Sequence, residues 1–147
     1  MLPGSPSGDV EMQVPAKAHQ SWVLGSYTMC LDEPGEVEVT SVEFQSGSLE
    51  LAEWALRPNP GAEGKNFAGD WRGATLASRG IENTEVLTRV CDNQGNSYEL
   101  VLELRSGASS TEGDGILVRY TSDERAGTLF LPQRIVLCVR PERPECA

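Results

Sequence analysis

Residues 97–106 read SYELVLELRS, and the fold turns on how that stretch is read. In an extended chain Tyr98, Leu100, Leu102 and Leu104 point one way, while Glu99, Glu103 and Arg105 point the other with Val101 among them. Period-two alternation of this kind marks a half-buried antiparallel strand, with one face on a core and one toward water.

The same signal recurs on both sides. EVEVTSVEF (36–44) alternates at Val37 and Val39, then shifts phase to Val42 and Phe44, which predicts a bulge or bend near Ser41. SLELAEWALR (48–57) shifts likewise, from Leu49 and Leu51 to Ala52, Trp54 and Leu56. GATLASR (73–79), TEVLTRV (84–90), GILVRYTS (115–122) and GTLFLPQRIVLCV (127–139) continue the series. Pro132 in the last of these suits an edge or a bulge. SWVLGSYTM (21–29) supplies an eighth strand, and DEPGE, QSGS, DNQGNS, SGASSTEGDG and SDERAG between the runs are turn chemistry. No stretch sustains a helical period. Seven or eight short strands predict an all-β fold, a two-sheet antiparallel sandwich that is immunoglobulin-like in architecture, with a small barrel as the second reading. The cysteine and tryptophan placement of antibody domains is not clearly present, so the label describes layers and not ancestry.

A chain of 147 residues is one domain's worth and long enough to close a core unaided. Its 22 acidic against 12 basic residues give a formal charge of −10. That field repels phosphate backbones, so nucleic acid is not an expected partner. No segment has the run of apolar residues needed to cross a bilayer. The start, MLPGSPSGDVEMQVPAKAHQ, lacks a basic stretch followed by an apolar one and is rich in Gly, Pro and Ser. Residues 1–19 are expected to be a flexible linker of the kind that follows a removed signal or a lipid anchor. Residues 20–147 are expected to form a single sandwich domain with a disulfide-closed tail.

Four cysteines permit three pairings, and sequence alone selects none. If the strands alternate direction from Val37 onward, Cys30 before the first and Cys91 after the fourth lie at one pole of the sandwich. Cys138 then lies at the other pole, with Cys146 as its near neighbour. Closing the short loop is worth on the order of 2–3 kcal/mol in the chain-entropy model and the long one roughly 4. Two bridges imply an oxidising compartment. A zinc site is disfavoured because no pair has the two-to-four-residue spacing of structural zinc ligands. Four buried free thiols in a cytosolic chain are the remaining alternative.

An enzyme is not the expected reading. His19 is the sole histidine, it falls in the expected linker, and a hydrolase triad needs a positioned imidazole. No phosphate loop, metalloprotease motif or nucleophile elbow is present, and no cofactor is expected. Asp32, Glu33, Glu36 and Glu38 cluster in CLDEPGEVE, but their spacing is that of a solvated turn followed by the outer face of a strand. The most suggestive segment is RPNPGAEGKNFAGDWRG (57–73), a long connection carrying Phe67 and Trp71. Aromatic side chains on such a loop anchor a partner or stack on a sugar. Trp22 and Trp54 are assigned to the core.

With CLDEPGEVEVTSVEF at 30–44, a central Cys91 and IVLCV at 135–139, the chain resembles the exported or lipid-anchored β-sandwich domains of high-GC Gram-positive bacteria. That resemblance implies an extracellular or cell-surface location and carries over no catalytic residue. The extra Cys146 departs from it. The expected function is a non-catalytic surface domain that binds a protein or glycan through loops at one pole. Two other classes are a small hydrolase of surface polymers using a carboxyl pair in a cleft, and an assembly subunit pairing through an edge strand.

Overall fold

Alternating apolar residues build nine strands in the computed structural model, which describes residues 10–58, 70–92, 97–123, 125–139 and 146. They are β1 (Val10–Pro15), β2 (Ser21–Met29), β3 (Val37–Gly47), β4 (Glu50–Pro58), β5 (Asp70–Arg72), β6 (Val86–Leu87), β7 (Tyr98–Arg105), β8 (Thr111–Ser122) and β9 (Arg125–Cys138). Five form one sheet in the order β1-β9-β8-β3-β6, and four form a second in the order β4-β7-β2-β5. Every neighbouring pair is antiparallel except β1 with β9, which is parallel. The chain is thus all-β in two sheets.

The inward rows of both sheets make one core. Trp22, Leu24, Tyr27 and Met29 of β2 and Leu100, Leu102 and Leu104 of β7 meet Val37, Val39, Ile116, Val118, Leu131 and Ile135 of the five-stranded sheet. Trp54 and Phe44 pack at its margin. The phase shifts in the sequence are real irregularities: pairing slips between Val39 and Ser41 in β3 and between Leu51 and Glu53 in β4. Pro132 sits in a bulge, since Asp114 pairs with Arg134 and Ile116 with Leu131, leaving Pro132 and Gln133 opposite Gly115 alone. Gly115 has φ +71°, and a Cβ there would meet the Phe130 ring at 2.6 Å.

Both cystines join the cysteines that strand alternation brought together. Cys30 bonds Cys91 with Cα atoms 5.0 Å apart, and Cys138 bonds Cys146 at 5.5 Å. Leu31 and Val90 form a parallel bridge beside the first, with the Leu31 N–H donating to Arg89 O at 2.8 Å and the Cys91 N–H to Leu31 O at 2.8 Å. Strand pairing puts the two bridges at opposite ends: Met29 lies opposite Tyr98 at one end, and Pro15 lies opposite Cys138 at the other.

Four expectations need correction. The linker does not extend to residue 19: Val10–Pro15 is a strand on β9, with Val14 buried in the core and Arg134 bonded to both Glu11 and Glu112. Residues 1–9 lie outside the described residues. His19 is held in the β1–β2 turn at φ +53°, where its N–H donates to Gly107 O at 3.2 Å. GATLASR is not a strand but a crossing segment with a 3-10 turn at Ala77–Arg79, and TEVLTRV contributes only the two residues of β6. Finally, β7 is not half-buried: Glu99 is 3 % and Val101 0 % exposed, with Ala74 and Leu76 of the crossing segment packed on Val101.

Candidate functional site

The crossing segment, residues 73–85, lies on the outer face of the four-stranded sheet. Ala74 and Leu76 pack on Val23, Ala55 and Val101, with Trp71 and Ile81 at the margin. Alternate burial of Ala74 and Leu76 imitates a strand because a flat segment on a sheet also buries every second side chain. Gly80 at φ +66° ends the 3-10 turn. At its start the Thr75 N–H donates to Ser78 Oγ at 2.8 Å and the Ser78 N–H to Thr75 Oγ1 at 3.0 Å.

Asn83 then fastens the segment to the free edge of β4. Its Oδ1 accepts the Leu56 N–H at 3.0 Å and the Glu85 N–H at 3.0 Å, and its Nδ2 donates to Trp54 O at 3.1 Å. Thr84 donates both its N–H and its hydroxyl to Leu56 O, each at 2.9 Å. The Val39 N–H donates to Glu85 O at 2.8 Å, which hands the chain over to the five-stranded sheet. The segment therefore strides from one sheet to the other, and each foot is bonded to backbone.

Under this stride is a cleft of about 600 Å³ lined by Glu53, Trp54, Ala55, Thr75, Leu76, Ala77, Ile81, Asn83, Glu85 and Glu103. Its floor is the β4–β7 ladder, and three carboxylates face it. Glu53 and Glu103 are directly opposite in register, which sets their Cβ atoms about 4.5–5.5 Å apart. Oε1 of Glu103 accepts the Leu76 N–H at 2.8 Å, tying floor to wall. Among the described residues no three acidic, His or Cys side chains converge closely enough to cage a metal ion.

A second hollow of about 530 Å³ lies at the β8–β9 hairpin, lined by Tyr120, Ser122, Asp123, Arg125, Ala126 and Gly127. The β2–β3 and β6–β7 connections reach the same end of the sandwich.

Of the aromatic pair read from the sequence, Phe67 lies outside the described residues. Trp71 belongs to β5 and not to a loop; it is half-buried, with the Arg79 guanidinium 3.8 Å from its ring centroid. It packs against the cluster of Val23, Ala55, Ala74, Leu76 and Val101 on which the wall of the cleft rests. Asp32, Glu33, Glu36 and Glu38 are all exposed. Glu53, Glu85, Glu103, Leu76 and Asn83 were not singled out by the sequence. The register of β4 on β7 brings residues 53 and 103 together, and no local pattern carries that register.

No family model and no curated protein matches the chain. Among solved structures it is similar to the VesB protease of Vibrio cholerae, at 9% identity and a TM-score of 0.40, over 93% of this chain and 31% of that one. The chain thus spans about a third of that protein's length, and at this score the likeness carries no argument about fold or activity. Among the described residues no helix is long and apolar enough to cross a membrane.

Proposed function

We propose that the chain is a non-catalytic, disulfide-stapled sandwich, immunoglobulin-like in its layering, that works outside the cell or at its surface and binds a protein or glycan. The observation that carries this reading is the cleft beneath residues 75–85: an irregular wall bonded at both ends onto a sheet floor. Rigid scaffolds that present one irregular segment over a hollow are the usual architecture of ligand sites. Two cystines support an oxidising compartment, and attachment by a lipid outside this sequence belongs to the same proposal. Trp71 acts here through the wall, and Phe67 is proposed as a further contact from the connection at 59–69.

The test has two arms. Intact mass of natively produced protein, alkylated before and after reduction, is expected to give two disulfides; four alkylated thiols before reduction would remove the export argument. Glycan arrays and surface-protein panels probed with the oxidised full chain are expected to give saturable binding that Ile81→Asp abolishes. Binding indifferent to Ile81→Asp would move the site to the hairpin end.

One observation favours a second reading. Glu53 and Glu103 stand side by side on the floor of the cleft, and paired carboxylates a few ångströms apart are the machinery of retaining glycosidases. A hydrolase would release reducing sugar from surface polysaccharides and lose that activity in both Glu53→Gln and Glu103→Gln. Absence of turnover in the unmodified chain across such polymers removes the reading.

A further inference from the structure

We infer that the cleft receives a lysine or arginine side chain from a basic segment of a protein partner. The inference rests on the binding reading above and names its ligand. Three observations meet at one place. The floor and wall offer Ala55, Leu76 and Ile81, an apolar lining for an aliphatic stem. At one side of that lining Glu53 and Glu103 stand as a like-charged cross-strand rung, an arrangement that destabilises a ladder unless a cation sits between its members. Glu85 also lines the cleft, and its backbone N–H donates to Asn83 Oδ1.

The shape fits an amphipathic cation and fits other ligands less well. A bare metal ion needs three or more converging ligands, and among the described residues no such group is found. A sugar ring is usually held on an aromatic face; the ring of Trp54, the one aromatic residue of the lining, packs toward the inner core. A long side chain with a positive end matches both halves: its stem lies on Ala55 and Leu76 while its head bridges Glu53 and Glu103, a geometry that a guanidinium fork satisfies through two oxygens. The formal charge of −10 steers such a partner inward.

The probe is a capped pentapeptide of two lysines and three glycines, with its glutamine counterpart as control, titrated into the oxidised full chain and followed by amide chemical shifts. Saturable shifts confined to residues 53–55, 75–85 and 101–103, absent with the glutamine peptide, are expected. Glu53→Gln is expected to weaken the lysine peptide about three- to tenfold. Glu33→Gln removes the same charge from the exposed β2–β3 connection and is expected to change affinity less than twofold. Because Glu53 is exposed, its variant keeps the fold, and the amide spectrum verifies this in the same experiment. Shifts scattered over the acidic surface, equal weakening by Glu33→Gln, or no saturation would each overturn the inference. If the lysine peptide fails while an array-derived neutral glycan or protein still shifts the cleft amides, the binding reading survives without this ligand. If nothing shifts them, both fall together.

Discussion

Two rungs of the β4–β7 ladder, on the same outer face and separated only by the Ala55–Val101 rung, treat charge in opposite ways. At one, Arg57 lies opposite Glu99 and donates Nε–H to its Oε1 at 2.8 Å. At the other, Glu53 lies opposite Glu103, two acids where the ladder would gain from one of each sign. The first rung is closed over, since Glu99 is 3 % exposed; the second opens into the cleft. The difference teaches that charge in this sheet is matched where water is excluded and left unmatched where the outer face opens into a hollow. A buried carboxylate needs a partner inside the fold, whereas one on a hollow can wait for a partner from outside.

The comparison breaks most visibly if the wall is removed. Leu76→Ala deletes the side chain that packs the crossing segment onto Val101 and Ala55, and is expected to cost about 3 kcal/mol in urea unfolding. Lysine-peptide binding should fall with it. A loss under about 1 kcal/mol would mean that the segment is held by its hydrogen bonds alone. Arg57→Ala attacks the closed rung. It takes a guanidinium from a nearly buried carboxylate and is expected to cost about 2 kcal/mol, below the range for fully buried pairs because Arg57 keeps some solvent. Peptide affinity should be unchanged, and any drop beyond twofold would show that the rungs are coupled.

Much of the frame was legible because it is written in local periodicity. The phase shift at Ser41, the one after Leu51 and the two cystines follow from alternation and strand direction, and Pro132 by itself marked an edge or a bulge, of which the structure has the bulge. The failures share a cause: alternation reports which side chains are covered, never by what. In β7, Glu99, Val101 and Glu103 read as a solvent face, though a segment some 25 residues earlier in the sequence lies on it. GATLASR read as a strand for the same reason, being the cover itself. In β1, Met12 and Val14 alternate with Glu11 and Gln13, but six residues inside a Gly/Pro-rich start are too few to outweigh composition. The cleft needs the pairing of residue 53 with residue 103, information held by two whole strands and a bulge between Leu51 and Glu53.

The open rung can be closed by design. Glu53→Arg turns it into an opposite-charge pair like Arg57–Glu99 and is expected to stabilise the fold by about 0.5–1 kcal/mol while abolishing binding of the lysine peptide. Stabilisation with binding retained would separate the rung from the site. Destabilisation would mean that Glu103 is already satisfied by the Leu76 N–H and gains nothing from a cation.

The inner face of the same sheet holds a third case, a polar group with neither a partner nor an opening. The Tyr27 hydroxyl, on β2 opposite Leu100 of β7, is buried and has no hydrogen-bond partner among the described residues. Burial alone raises its pKa above the ordinary 10.0, because the phenolate is worse solvated inside than the phenol. The folded value lies above the unfolded one, so this group's contribution is fully present below pH 10 and is lost as pH rises through the folded value. Between those two points the unfolded chain ionises and the folded chain does not, and stability falls by up to about 1.4 kcal/mol per pH unit from this residue. Tyr27→Phe removes both the unpaired hydroxyl and the titration. The variant is expected to gain about 0.5 kcal/mol at pH 7 and to show a shallower decline in urea midpoint between pH 9 and pH 11. Parallel declines would mean that the hydroxyl reaches water in solution. The sheet would then bear unmatched polar groups only where they are wet, and the contrast between its two outer rungs would extend through to its inner face.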